Sequence, residues 1–148
     1  MPIPALDENG VLPPGIYDCA LEEIAARFGS FQESDRRPRL FAILRSFLAE
    51  VQASGLVLAV IIDGSFVSVK PAPEDIDLVL IVHASHDQDA NLLPSQYNVV
   101  SKRRVRRRFG FDILVARVGD ENYEHIVKFY QQVRLRPDLR KGVLRLTL

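Results

Sequence analysis

Two aspartates and a glycine-serine pair ahead of them are the residues in this chain whose types and spacing could do chemistry. Gly64-Ser65 is followed by nine residues and then by Asp75-Ile76-Asp77, which begins an apolar run. The glycine permits a positive backbone torsion and lets a ligand approach main-chain amides, while the serine adds a small hydroxyl donor. Gly64 and Ser65 are therefore a candidate phosphate cradle.

The two aspartates belong to the segment 75–82, whose apolar residues predict a strand. Side chains two apart on a strand share one face, so the Cα atoms of Asp75 and Asp77 are expected about 6.6 Å apart. Two carboxylates at about 4 Å repel by about 4 kcal/mol at an effective dielectric near 20. Mg²⁺ would relieve this repulsion, because it takes one or two carboxylates and completes its octahedron with water and substrate phosphates.

A third carboxylate, Asp112, lies between Phe111 and Ile113 at the start of another predicted strand. An acidic residue at the start of a buried strand needs a partner. If this strand lies beside the strand of Asp77, the two aspartates can share a metal ion and activate an acceptor hydroxyl, as two-metal sites do.

The three segments Gly64-Ser65, Asp75-Ile76-Asp77-Leu78 and Phe111-Asp112-Ile113 together resemble the signature of the DNA polymerase β-type nucleotidyltransferase superfamily. The resemblance implies that Gly64 and Ser65 hold the triphosphate of a nucleotide. It implies that Asp75 and Asp77 hold two magnesium ions when the nucleotide is bound, and that Asp112 assists the acceptor. The small size is similar to the minimal members, some of which pair with toxins and transfer AMP to protein side chains.

The whole chain, including the segments 12–15 and 141–146, also resembles a small bacterial family of nucleotidyltransferase-like proteins, which names no substrate. One departure from the superfamily pattern lies after the Gly-Ser pair. Many active relatives carry an arginine-glycine pair there, whereas this chain continues with Phe66–Lys70. Lys70 is the candidate replacement for the arginine as a point charge on phosphate, and it equally suits a solvated loop.

A strongly basic segment precedes Asp112. The residues 102–108 include six cations, and a helix here would turn Val105 and Phe109 inward. The exposed arginines are then either a solvated helix face or a patch for phosphate or nucleic acid, formed by Arg103, Arg104, Arg106 and Arg107.

Composition predicts one domain over residues 1–148, with an extended arm over about residues 1–15 that is laid over the domain or left mobile. Nearly half of the 148 residues are apolar, and 19 basic residues balance 19 acidic ones, so bulk attraction to nucleic acid is not expected. A single cysteine, Cys19, excludes an intramolecular disulfide. With no apolar stretch of membrane length, we expect a cytoplasmic protein without a membrane partner.

The predicted order of elements is helix, strand, strand, helix, strand, helix, which indicates an α/β or α+β fold with helices packed on a mixed sheet. Asp18 is expected to cap a first helix that Gly29 ends, and Ser34 or Asp35 to cap a second that ends at Gly55. The buried stripe of the second helix is predicted to be Leu40, Ile43, Leu44, Phe47, Leu48 and Val51.

Two further elements are expected in the last third of the chain. A helix is predicted from residue 121 or 122 through Val133, with His125 facing solvent. The segment 142–148 is predicted to form an edge strand or a partner-facing strand, which would suit a homodimer. The polar segment 83–94 is expected to be a loop that covers the site.

The leading hypothesis is an enzyme that moves a nucleoside monophosphate from a Mg²⁺-bound nucleoside triphosphate to a hydroxyl of a protein or RNA acceptor. A nucleotidyltransferase-like antitoxin or binding module with little or no catalysis is the main alternative. A metal-dependent phosphodiesterase or nuclease is the third, since it uses similar carboxylates and the same basic helix.

Overall fold

A computed structural model of the chain describes residues 3–83, 91–119, 124, 125, 128, 131–133 and 136–148. Seven strands and four helices have both of their ends within those residues. In chain order they are β1 (Ile16–Asp18), α1 (Leu21–Phe28), α2 (Arg36–Ser54), β2 (Val57–Asp63), β3 (Asp77–Val82), α3 (Pro94–Val100), α4 (Lys102–Phe109), β4 (Asp112–Arg117), β5 (Gln132–Val133), β6 (Arg136–Arg140) and β7 (Val143–Thr147).

Five strands form one mixed sheet in the order β1-β7-β2-β3-β4, and β5 pairs with β6 separately. The pairs β2-β3 and β2-β7 are antiparallel, whereas β1-β7 and β3-β4 are parallel. This architecture confirms the predicted α+β class with helices on a mixed sheet. The parallel pairing of β3 with β4 also confirms that the strand of Asp112 lies beside the strand of Asp77.

The central strands β2 and β3 are continuously apolar because both of their faces are buried. Alternate residues such as Val60, Ile62 and Leu78 belong to the main core, and Ile61 and Val79 lie on the opposite face among other buried side chains. A strand covered on both faces needs no polar alternation. This explains why the sequence of β2 and β3 is a run rather than a two-residue pattern.

Helix α2 supplies most of the helical side of the core. Leu44, Phe47 and Val51 are fully buried, and Leu40 and Leu48 are nearly so, which confirms most of the predicted stripe. Ile43 was wrongly included, since it is 38% exposed. It lies at the border of the apolar stripe, where a helix turns its side chains towards solvent.

The N-terminal arm is laid over the domain in the part that the structure describes. Ile3 and Leu12 are buried, and the guanidinium of Arg27 donates to the carbonyls of Ile3 and Pro4 at 2.6 and 3.0 Å. Of the two predicted alternatives, packing on the domain is therefore the one observed for residues 3–15.

The predicted position of the C-terminal strand was wrong. β7 lies inside the sheet, with β2 on one side and the three-residue strand β1 on the other. Residues 16–18 gave too short a strand signal to be found in the sequence, and they remove the exposed edge on which the expectation of a homodimer rested. Among the described residues, no helix has the length and apolarity needed to cross a membrane.

Two further boundaries differ from prediction. Asp18 does not cap α1, because it ends β1 and forms an ion pair with Arg145 at 2.6 Å, and Ala20 precedes the helix instead. Val133 belongs to strand β5 and not to a helix. Most of the predicted helix 121–133 and of the predicted covering loop falls outside the described residues, while His125 is helical and exposed as expected.

Candidate functional site

The turn at Gly64 packs directly against the backbone that carries the two aspartates. Gly64 has φ +92°, and a Cβ at this position would lie 2.9 Å from both the carbonyl oxygen of Asp75 and the amide nitrogen of Asp77. The amide of Phe66 also donates to the Asp75 carbonyl at 3.1 Å. Only glycine fits this position, for reasons of both torsion angle and space. The two halves of the sequence motif are therefore one packed unit.

Ser65 closes this unit by binding Asp75. Its amide donates to Oδ1 of Asp75 at 2.8 Å, and its hydroxyl donates to the same oxygen. The hydroxyl in turn accepts from the amides of Glu74 and Asp75. Burial pushes the pKa of Asp75 up, but the hydrogen bonds from Ser65 and the charges of Lys141 and Lys70 outweigh it and hold that pKa below its usual range. The predicted cradle thus binds an anion, and that anion is the carboxylate of Asp75.

Two consecutive arginines at the start of α2 fix the loop that follows the turn. Arg37 is fully buried and makes five hydrogen bonds to the carbonyls of four residues, Phe28, Phe66, Ser68 and Lys70. Burial lowers the pKa of Arg37. Arg36 donates to the carbonyls of Pro73 and Glu74 at 2.8 and 3.0 Å. The two arginine side chains therefore hold the loop through its main-chain carbonyls.

Sequence reasoning missed the role of Arg37, although a signal was present. Arg37 lies three residues before Leu40 and seven before Leu44, on the buried face of α2. A charged residue at a core position of a helix requires satisfied hydrogen bonds. The carbonyls that provide them come from a loop that is remote in sequence, so their identity was not predictable.

Three aspartates form a row across one end of the sheet. Asp63 lies opposite Asp77 in the antiparallel pair β2-β3, and Asp77 lies beside Asp112 in the parallel pair β3-β4. Directly paired residues project to the same face of a sheet. Exposure increases along the row, from the buried Asp63 through the half-buried Asp77 to the exposed Asp112. The structure thus brings Asp112 beside Asp77 as expected and adds Asp63, which was not predicted.

Asp77 is the carboxylate that most needs a cation. Burial first, and then the charges of Asp75 and Asp112, raise its pKa to about 6, against a smaller opposing effect of Lys141. No hydrogen bond or ion pair to its side chain is found within the described part of the chain. A hard cation would supply the missing positive charge, and carboxylate oxygens are the ligands that Mg²⁺ prefers.

Asp112 is engaged by the basic helix. Nη1 of Arg106 lies 2.5 Å from Oδ1 of Asp112, with the two side chains 72% and 61% exposed. Gly110, at φ +81°, ends α4 and turns the chain so that the last helical turn lies next to the start of β4. An ion pair this exposed contributes about 0–1 kcal/mol, so it can open at low cost.

The described residues hold no ready-made group of three metal-binding side chains. The donor chemistry nevertheless suits Mg²⁺, which is bound through one or two carboxylates with phosphate oxygens completing its shell. Asp75 and Asp77 meet that requirement, and Asp112 can join when its ion pair opens. The residues present therefore fit a phosphate-dependent magnesium site better than a permanent one.

The other predicted phosphate ligands are Lys70 and three further arginines of α4, Arg103, Arg104 and Arg107. Lys70 is exposed. On α4, Arg104 donates to Asn98 and lies over the ring of Tyr97. Arg103 and Arg107 are exposed and have no ionic partner among the described residues. The basic face is thus partly neutralised and partly open to an anion.

A buried ion pair, Asp63 with Lys141, is the second feature that sequence reasoning missed. Nζ of Lys141 lies 3.1 Å from Oδ2 of Asp63. Burial raises the pKa of Asp63 to about 7, and Lys141 opposes that rise. An aspartate at the end of an apolar strand was a visible signal for Asp63. Nothing local marks Lys141, which reaches the site from the start of β7.

Comparison with known proteins yields a match to one family model. A family model that is described as a family of unknown function, DUF6932, matches residues 4–147. No curated protein and no solved structure matches the chain. Because the family description carries no activity, the chemistry of the site has to be inferred from its side chains.

Proposed function

We propose a function for this chain, which belongs to the DUF6932 family, a family of unknown function. The function proposed is a magnesium-dependent nucleotidyl transfer, in which a nucleoside monophosphate passes from a nucleoside triphosphate to a hydroxyl of a protein or RNA acceptor. We further propose the cytoplasm as its compartment, since the one cysteine, Cys19, is unpaired.

One observation carries the proposal. Asp77 is paired in register with Asp112, while Gly64 packs against the backbone between Asp75 and Asp77. A small-residue turn, the carboxylates of Asp75 just before β3 and of Asp77 at its start, and a third carboxylate from the neighbouring strand are therefore neighbours. That is the set of groups expected for binding a metal-bound triphosphate next to an acceptor.

Asp75 and Asp77 would hold the magnesium ions together with the triphosphate. Bound magnesium neutralises charge on the phosphates and lowers the pKa of an acceptor hydroxyl. Asp112 would take the hydroxyl proton as the acceptor oxygen attacks the α-phosphorus and pyrophosphate leaves. In the structure Asp112 is exposed, which suits the residue that must meet a second substrate.

The amide and hydroxyl of Ser65 would bind the phosphates. Both now point at a carboxylate oxygen of Asp75, so they are already oriented towards an anion. With Asp75 committed to a metal ion, the Ser65 amide and hydroxyl would be available to donate to a phosphate oxygen. Lys70 would add a point charge from the exposed end of the same loop.

Transfer of label tests the proposal. Purified protein, Mg²⁺ and each of four α-³²P-labelled nucleoside triphosphates are incubated with cell lysate, and the products are treated with protease or ribonuclease. We expect one or more nucleotides to label an acceptor, with loss of labelling in a variant that carries Asp75→Asn, Asp77→Asn and Asp112→Asn. Glu22→Gln, which removes an exposed charge on α1, is the matched control.

A catalytically weak binding module is the second candidate, and a specific observation favours it. Arg106 binds Asp112, and Ser65 binds Asp75, so two of the three carboxylates already have partners within the chain. Calorimetry with the four nucleoside triphosphates in Mg²⁺ separates the two functions. Nucleotide binding by the wild type that is lost in Asp75→Asn/Asp77→Asn supports the enzyme. Absence of binding of any of the four nucleotides by the wild type supports the binding module.

A further inference from the structure

The Asp63–Lys141 pair is more deeply buried than any other ion pair measured in the described residues. The side chains of Lys141 and Asp63 are 17% and 2% exposed, and one oxygen of Asp63, Oδ1, is buried without a hydrogen-bond partner. Buried charges are costly unless they are paired and hydrogen-bonded. A pair retained at this cost beside a candidate metal site calls for a functional reason.

Lys141 is anchored at its backbone and placed among several carboxylates. Its amide donates to the Gln131 carbonyl, and the amide of the next residue, Gly142, donates to the Leu12 carbonyl at 2.9 Å. A Cβ on Gly142 would lie 2.3 Å from the Pro13 carbonyl oxygen, so the backbone next to Lys141 is closely packed against the N-terminal arm. Lys141 can therefore change its ionic partner only by a movement of its side chain.

The carboxylates within reach are those of the proposed magnesium site. Asp63 lies directly opposite Asp77. The Lys141 ammonium, 3.1 Å from Asp63, thus lies at the same end of the sheet as Asp77, and its charge lowers the pKa of Asp63, Asp75 and Asp77. In the structure its ionic contact is made to Asp63.

We propose that Asp63 is a positioning residue that holds the Lys141 ammonium away from Asp75 and Asp77, so that a divalent cation can bind there. This inference rests on the proposed function, because it presumes the magnesium site. An ammonium group released from Asp63 would move to the nearest remaining carboxylates and compete with the metal ion. Asp63 keeps the site open without touching the metal.

Manganese binding to the full-length chain tests this inference. The affinity for Mn²⁺ alone is measured by electron paramagnetic resonance in wild type, Asp63→Asn, Lys141→Met and the double variant. We expect Asp63→Asn to weaken binding by about tenfold or more, which corresponds to about 1.4 kcal/mol. Lys141→Met should not weaken it, and the double variant should recover the wild-type affinity because the competing ammonium is gone.

A second measurement does not depend on any variant folding. Amine labelling of the wild-type chain, read by mass spectrometry, should modify Lys141 much more slowly than the exposed Lys102 on α4, both with and without Mn²⁺. Faster labelling of Lys141 on addition of Mn²⁺ would show that the ammonium had occupied the metal site, which contradicts the inference.

The outcomes separate this inference from the proposed function. Wild-type protein that binds no Mn²⁺ contradicts the inference and not the proposed function, because the proposed transfer needs the metal ion only together with the triphosphate and is tested separately by label transfer. Wild-type protein that binds Mn²⁺, with Asp63→Asn binding it equally well, contradicts the inference alone. A double variant as weak as Asp63→Asn also overturns it, because Asp63 would then act as a ligand or through the fold and not through Lys141.

Discussion

Gly64 lies so close to the backbone of Asp77 that one added methyl group at residue 64 would disrupt the site. A Cβ on residue 64 would lie 2.9 Å from the Asp77 amide nitrogen. The turn therefore fixes where β3 begins and how its first carboxylate is presented. Because β4 pairs in register with β3, the same contact also sets the position of Asp77 relative to Asp112.

Gly64→Ala should destabilise the fold by more than the cost of its backbone torsion. Alanine at a positive φ loses about 1 kcal/mol, and the clash with the backbone of Asp75–Asp77 should add about 1–3 kcal/mol. Urea unfolding measures the sum. Gly55→Ala is the matched control, since Gly55 has φ +71° with no atom within 4 Å of its Cβ position. Equal losses in the two variants would show that the close packing is unimportant.

Arg37→Met should lower the free energy of unfolding by about 3 kcal/mol or more, because it leaves buried carbonyl oxygens without donors. Arg37→Lys should rescue little, since one ammonium cannot match the planar fork that now serves four carbonyls. Urea unfolding again gives the values. Arg39→Met, which removes a 73% exposed ion-pair partner of Asp35, should change stability by only about 0.5 kcal/mol. Similar losses of unfolding free energy in Arg37→Met and Arg39→Met would argue against the role of Arg37 in fixing the loop.

Stability of the metal-free chain should fall as pH rises from about 4 to about 7. The pKa values of Asp77 and Asp63 are raised from 3.8 to about 6 and about 7, so the folded state binds more protons than the unfolded state in this window. The stabilisation that comes from the raised pKa values is complete below pH 3.8. It is lost as the pH rises through about 6 and about 7. The lowered pKa of Asp75 acts only below 3.8.

The measurement is the urea midpoint from pH 4.5 to 7.5 for wild type and for Asp63→Asn, which should show a shallower slope. Asp35→Asn, which removes an exposed carboxylate at the start of α2, should keep the wild-type slope. A wild-type midpoint that rises steadily across this window would contradict the assigned burial of the two carboxyl groups.

The open part of the basic helix gives a prediction about an RNA acceptor. Arg103→Gln/Arg107→Gln should weaken binding of a single-stranded RNA and reduce the salt dependence by about one phosphate contact per arginine lost. Fluorescence anisotropy at several salt concentrations measures both. Arg108→Gln is the control on the same helix, because Arg108 is paired with Glu50 at 2.8 Å. If the double variant binds RNA as the wild type does, this face is solvated and the acceptor docks elsewhere.

Local sequence signals predicted the parts of the site that depend on local geometry. Gly64 forms a turn and Asp112 begins a strand, as predicted, whereas the predicted strand 75–82 begins only at Asp77 and leaves Asp75 in the segment before it. Contacts between distant segments were not predictable in the same way. The ion pair of Lys141 with Asp63, and the carbonyl contacts of Arg37, depend on the sheet order and on the path of a loop, which no spacing in the sequence encodes.

The same distinction between local signals and contacts of distant segments explains the errors in the predicted fold. The final strand has the alternation of an edge strand, and only the short strand β1, with one Ile-Tyr-Asp segment, changes it into an interior one. Pairing partners decide whether a strand is at an edge. The expected helix end at Val133 failed for a similar reason, since residues 132 and 133 pair with β6.

The dependence of nucleotidyl transfer on Asp77 tests the central claim most directly. The rate of α-phosphate label incorporation is compared in wild type, Asp77→Asn and the control Glu22→Gln at saturating Mg²⁺. We expect the control to match the wild type and Asp77→Asn to lose about 100-fold or more in rate, as removal of a key electrostatic group does. Incorporation by Asp77→Asn at the wild-type rate, or none by the wild type with any nucleotide and acceptor fraction, would contradict the account.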